Sequence, residues 1–158
     1  MADSTPKAAL ADETIKKHML AAVGVGLVPV PLADLAALAG VQLNLLRSLA
    51  GIYGVEFSSQ LGKAAIAALA GGGLSVSLSL RLGSLAKGLP VLGWAAAPAG
   101  VALFGGASTY AVGKVFVQHF ESGNTFLSFD PEAVRAYYAR QFEQGKAEVK
   151  ASFAGIKP

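Results

Sequence analysis

The sequence has no cysteine, which excludes disulfides and thiolate metal sites but places the protein in no particular compartment. It has only two histidines, His18 and His119, which with no cysteine leaves little for a metal. His18 lies in a polar stretch and His119 has Glu121 nearby; one histidine beside one acid is far from a ligand set. Charge is equally sparse, at 15% of residues against the ~25% usual in soluble chains. The net charge of +3 comes from basic residues scattered among acids. Without a clustered basic face, nucleic acid is not an expected partner. Mild attraction to anionic lipid headgroups fits the same charge.

The signatures of nucleotide and acyl chemistry are missing as well. "GASTYAVGKV" resembles a phosphate loop only briefly. Ser108 stands where the first glycine belongs, and Val115 stands where a hydroxyl should hold magnesium. "GVGLVP" lacks the last glycine of a dinucleotide fingerprint. Ser75, Ser77 and Ser79 have no histidine near them in sequence. No catalytic residue, metal or cofactor is therefore expected, and the chain reads as non-enzymatic.

What is abundant is apolar sequence: 53% of residues, with 19 glycines and a mean hydropathy of +0.51. Between Met19 and Gly113 the charged residues are Asp34, Arg47, Glu56, Lys63, Arg81 and Lys87. Two polar ends thus flank an apolar middle. The organisation expected is a polar segment 1–17, one helical domain over 18–146 and a polar tail 147–158. Lys16 and Lys17 precede an apolar run, but acids sit among them and no cleavage site precedes polar sequence, so the segment is expected to be retained.

Asp12 or Thr14 is the expected cap of a first helix. From Met19 to Ala33 there are about 15 uncharged residues, roughly 22 Å of helix and short of the ~30 Å of a hydrocarbon core. Pro29 and Pro31 should end this segment near Val28. Asp34 then stands where an N-cap belongs, at the positive end of a second helix that Gly51 and Gly54 terminate. The two form a Pro-broken hairpin over 19–54. Asp34 is also an ionisable group in an apolar segment, the position where proton or ion handling would be sought. Gln42 and Asn44 are suited to hydrogen bonds across a helix contact, and with Arg47 they make this helix a poor lipid-facing span.

A second apolar hairpin is expected over 64–113. "LSVSLSLRL", Leu74 to Leu82, alternates like a half-buried strand, but no second such run exists to pair with it, and helix is favoured. Gly88 to Gly113 is uncharged for about 26 residues, long enough to span with tilt. Pro90 should open that helix and Pro98 kink it, with Trp94 and Tyr110 as interface aromatics. Gly105, Thr109 and Gly113 form a face of small residues that another helix can approach closely. In the tail, Asp130, Pro131 and Glu132 mark the start of an amphipathic helix. Its apolar stripe is Val134, Tyr138, Phe142, Gly145, Val149 and Phe153, suited to packing on the bundle, lying on a membrane or docking a partner. With Arg81 and Lys87 on one side and Lys16, Lys17, Arg47, Lys63 and Lys114 on the other, the positive-inside bias puts both termini in the cytoplasm.

The stretches "VPVPLADLAALAGVQLNLLRSLAGIYG", "LPVLG", "STYAVGKVFVQHFESG" and "AVRAYYARQFEQGK" resemble domain-of-unknown-function family 697, the YcjF-like group, from about His18 to Lys146. By that resemblance Pro29, Pro31, Asp34, Gln42, Tyr53, Gly54, Gly113 and Lys114 fall on the family's pattern. The resemblance implies a helical, membrane-associated domain, in a family with members fused or neighbouring to Era-like GTPase domains. No nucleotide domain is found in this sequence, so it implies a stand-alone version, with a GTPase as candidate partner and no GTP hydrolysis of its own. It supplies no catalytic residue.

The expected architecture is therefore all-α: a Gly/Ala-rich membrane-associated bundle with a Pro-broken hairpin, a second apolar hairpin and a C-terminal amphipathic helix. The expected role is a membrane-embedded assembly or anchoring module, homo-oligomeric, in the inner membrane if bacterial. The alternatives are a channel or pore lined by Asp34 and the small-residue faces, and a soluble self-associating bundle.

Overall fold

A computed structural model describes residues 4–27, 31–71 and 90–154, and these are all helical apart from short connections. Pro29, Arg81, Lys87 and the alternating stretch 74–82 lie outside the described residues. So does the side chain of Trp94.

Helix α1 spans Ser4–Gly26. It begins well ahead of Asp12 and Thr14, because Ala11, Ile15, Met19, Ala22 and Val23 recur at helical spacing and are all buried. Much of the polar N-terminal segment is thus the first half of an amphipathic core helix. Thr14 caps nothing, and its Oγ1 donates to the Leu10 carbonyl at 2.7 Å. Helix α2 spans Pro31–Tyr53. Proline has no N–H to lose at a first helical position, so the helix opens there and Asp34 falls inside its first turn rather than before it. Gly51 is passed without a break. Gly54 ends the helix at φ +67°, and the Val55 N–H reaches back to the Ala50 carbonyl at 2.8 Å, the longer bond of a glycine C-cap.

Helix α3, Ser59–Ile66, is capped by Ser58, whose Oγ accepts from the Leu61 N–H. It widens into a π-helical turn over Ala67–Gly71. Helix α4 spans Pro90–Glu121. Pro90 opens it, but the helix runs on through Pro98 and past Gly113. A short 3₁₀ turn, Phe126–Ser128, leads to helix α5, Pro131–Ala154. Asp130 caps α5 by accepting from the Glu132 N–H at 3.0 Å. The helix continues beyond residue 147 because Val149 is buried and holds its last turns on the bundle.

Helix α4 is the axis of the fold. Ile15 faces Gly113 and Ala22 faces Gly105, so α1 runs antiparallel to it. Gln42 reaches Ser108 while Tyr53 reaches Glu121, so α2 runs parallel to it. Phe129 stacks on Phe116 at 4.7 Å and Val149 lies over Gly106, so α5 returns across it. Near the α4 C-terminus the core is aromatic: Phe116 contacts Phe120, Phe126 and Phe129, and Phe57 meets Phe126 edge-on at 5.8 Å.

Toward the α4 N-terminus the packing depends on missing side chains. A Cβ on Gly106 would stand 2.6 Å from Val23 Cγ2 and 2.7 Å from Val149 Cγ2. One on Gly145 would stand 2.9 Å from the Ala107 carbonyl oxygen. The face Gly105–Thr109–Gly113 is therefore a packing surface, filled by α1. Tyr110, read as an interface aromatic, is buried; α5 covers it, with its Cβ 3.1 Å from where a Gly145 Cβ would be.

Candidate interaction site at one end of the bundle

Polar side chains inside this apolar core are paired across helices. Gln42 is 1% exposed, and its Nε2 donates to Ser108 Oγ at 3.0 Å and Thr109 Oγ1 at 3.3 Å. Thr109 Oγ1 in turn donates to the Gly105 carbonyl at 2.7 Å, and Ser108 Oγ lies 3.2 Å from the Tyr138 hydroxyl. This crossbar ties α2, α4 and α5 at one register, since a buried amide left unpaired would cost several kcal/mol. Burial pushes the Tyr138 phenol up, while its bond to Ser108 acts the other way.

The other expected residues serve similar ends. Tyr53 donates its hydroxyl proton to Glu121 Oε1 at 2.8 Å, tying the C-termini of α2 and α4. Burial first, then that hydrogen bond and the Glu121 charge, raise its phenol far above the usual range. Lys114 does not stand at the end of a span: its Nζ sits 2.6 Å from Asp12 Oδ1 and 5.5 Å from the Tyr110 ring. Burial would lower this ammonium, but the bond to Asp12 and the neighbouring charges hold it above its ordinary value. Pro31 opens α2, and Asp34 lies within its first turn, its side chain outside the described residues. His119 Nε2 donates to the Thr125 carbonyl at 2.7 Å and secures the turn after α4. Among the described residues no cluster of ligating side chains could hold a metal.

These contacts do not assemble into a reactive centre. They mark instead a level at which the surface changes. On the α4 C-terminal side of the Gln42 crossbar, many exposed positions are charged, among them Glu13, Lys16, Lys17, Arg47 and Lys63, and they stand beside the exposed Leu10 and Leu127. Beyond it, the exposed positions with described side chains on α1 and α2 are Leu20, Ala21, Gly24, Leu27, Ala36, Ala37, Ala39 and Gly40. On α5 the last exposed charge is Lys150, followed by exposed Ala151, Phe153 and Ala154. Leu20 is 51% exposed, Leu27 49% and Phe153 46%. Among the described residues of α1 and α2, this end of the bundle is apolar outside as well as inside, and α5 brings exposed Glu143 and Lys150 beside it.

A groove between α1 and α2 crosses that boundary. It is a shallow, open depression of about 490 Å³, lined by Lys17, His18 and Asn44 at one end and Ala21, Ala37, Gly40 and Val41 at the other. His18 Nδ1 lies 2.7 Å from the Thr14 carbonyl, which can only accept, so Nδ1 carries the proton and Nε2 faces Asn44 Nδ2 at 3.0 Å.

Most of the first arm and the turn of the hairpin expected over 64–113 lie outside the described residues. Among the described residues no helix is long and apolar enough to cross a membrane. The middle of α4 is occupied by α1, α2 and α5, and its C-terminal third carries Lys114 and Glu121. A charge-free sequence run served here as a core surface.

The profile of the DUF697 domain of unknown function matches residues 4–147. The chain belongs to the DUF697 family. A relative, Magnetosome membrane protein 22 of Magnetospirillum gryphiswaldense, is 41% identical over 146 residues, which is 92% of this chain and 75% of that protein. No solved structure matches this chain. Within the DUF697 domain, the signal that sequence reading missed was Gly106: it read the small face as Gly105, Thr109 and Gly113, four apart, and did not see that α5 uses the adjacent glycine.

Proposed function

We propose that this DUF697 chain is a non-enzymatic, membrane-associated assembly and anchoring module that docks on a bilayer by its apolar end. The observation that carries the reading is the surface itself: exposed Leu20 and Leu27 lie beyond the level at which Lys16, Lys17 and Lys63 hold the exposed charge, and exposed Phe153 follows Lys150 on α5. Leucine and phenylalanine entering the acyl boundary contribute about 1.5–3 kcal/mol each. Lysines at the rim meet anionic headgroups while their stems cover apolar surface. The membrane protein named among its relatives supports the same environment. The charged end faces the cytoplasm in this reading, and exposed Leu10 and Leu127 there are each available to a GTPase partner or a further copy of the chain.

The test is flotation with phosphatidylcholine–phosphatidylglycerol vesicles. Wild type should float, and the triple variant L20E/L27E/F153E should bind more than tenfold more weakly with its melting temperature unchanged. L10E/L127E, which alters exposed leucines at the other end, should float like wild type. Equal flotation of both variants, or none by wild type, would overturn the docking end. The packing of α1 on Gly105 and Gly113 favours anchoring over the alternative of a pore lined by this face and Asp34. Asp34→Asn should leave ion flux through these vesicles at background.

A further inference from the structure

We infer that the groove between α1 and α2 binds one molecule of an anionic phospholipid, headgroup at Lys17, His18 and Asn44 and acyl chain along Ala21, Ala37, Gly40 and Val41. The inference rests on the membrane-docking reading and adds to it a discrete site. Its first support is the match of profile. The groove is cationic and hydrogen-bonding on the charged side of the surface boundary and purely apolar on the other, in the order a phospholipid presents its own parts across an interface. Its second support is room. About 490 Å³ falls within the ~300–1,000 Å³ of ligand sites, and no atom lies within 4 Å of where a Cβ of Gly40 would stand.

The donors at the polar end are set by their neighbours. Thr14 fixes the His18 tautomer, and His18 Nε2 then takes one amide hydrogen of Asn44. Asn44 has no other partner among the described residues, so its second N–H remains for a phosphate oxygen. Lys17 supplies the positive charge. It is paired with Glu13 at 2.9 Å, but both side chains are well exposed, and an exposed pair of this kind is weak enough for a phosphate to compete with it. The small residues along the rest of the groove are what lets a chain lie flat against two helix backbones. A single-chain site of this kind faces sideways into the acyl layer once the apolar end is docked.

The probe is dihexanoyl-phosphatidylglycerol below its micelle concentration, titrated into the full chain and followed by the NMR signals of His18 and Asn44. Saturable binding is expected. Gly40→Leu should weaken it at least tenfold by filling the apolar half, and Lys17→Gln about fivefold through the lost headgroup attraction. Flotation of Gly40→Leu on vesicles should persist, because Leu20, Leu27 and Phe153 are untouched. Three results would overturn the site. They are no saturable binding, equally strong binding of glycerol phosphate, which would make the ligand a free phosphate, and a Gly40→Leu variant that binds the lipid normally but sediments as a smaller species, which would make the occupant a second copy. Wild type that binds the short lipid yet does not float on vesicles would remove the docking reading and leave the site standing.

Discussion

Around Phe116 the core is filled by rings, whereas around Gly106 it is filled by backbone. Phe57, Phe116, Phe120, Phe126 and Phe129 interlock where α2, α4 and α5 meet the loops, and the surface over them is charged. At the other end, α1 and α5 come within side-chain reach of the α4 backbone because Gly105, Gly106 and Gly145 carry nothing in the way, and the surface there is Ala, Gly, Leu and Phe. The first kind of packing gains stability from large apolar area removed from water. The second gains it from close contact and dispersion, which persists when the surroundings are themselves apolar. The difference separates two kinds of packing within one helical bundle, and substitutions can test each end separately.

The largest effect is expected at the ring-filled end. Phe116→Ala removes a fully buried side chain that four other rings touch, and should cost about 3–5 kcal/mol in denaturant unfolding. Vesicle flotation of the molecules that remain folded should not change. A flotation defect without a stability loss would mean that this end meets the membrane. At the backbone-filled end, Gly145→Ala drives a methyl to 2.9 Å from the Ala107 carbonyl and should cost about 1–3 kcal/mol. Detergent micelles should not relieve that cost, since the clash lies between two helix backbones rather than between protein and solvent.

Alkaline pH should act on the charged half first. Tyr53, Tyr110, Tyr138 and Lys114 all have folded-state values raised above their ordinary 10.0 or 10.5. A group raised on folding keeps its proton longer in the native state, so the native state binds more protons than the unfolded one in that window. Stability from these groups is complete below about pH 10 and falls as pH rises beyond it. A titration monitored by circular dichroism should be flat on the neutral side and decline above this point. Asp12→Asn should make the decline shallower, because the bond and charge that hold Lys114 above its ordinary value are weakened and less stability depends on its proton.

The smallest effects come from two neighbouring glycines. Gly54→Ala forces a side chain into the left-handed region and should cost about 1 kcal/mol. Gly51→Ala lies inside α2 with open space around it and should stabilise by about 0.5–1 kcal/mol. Equal responses at the two positions would contradict the C-cap at Gly54.

Much of the helical plan was legible in local chemistry. Pro90 as an opener, Asp130 with Pro131 as a start and the stripe through Gly145 and Val149 are short-range signals, and the structure uses them as read. The start of α1 was less legible: counting charges pointed to Asp12 or Thr14, while the Ala11–Ile15–Met19–Val23 spacing carried the helix back to Ser4. The length of α4 was misread for a related reason. A run without charge has the same composition whether lipid or protein surrounds it, so hydropathy alone could not tell a span from a core helix.

By itself the sequence determined that this protein is helical, that it has no thiol chemistry, that its charge is sparse in the middle of the chain, and that it resembles the DUF697 family. These follow from composition, periodicity and capping, which act within a few residues. Only the tertiary structure decided that Gln42 reaches Ser108, that Lys114 is held by Asp12, that the small face of α4 receives α1, and that the exposed apolar residues of the C-terminal half of α1 and the N-terminal half of α2 lie at the same end. Those facts depend on which faces meet across long sequence separations, and the same stripes and small residues are compatible with several pairings until close packing selects one.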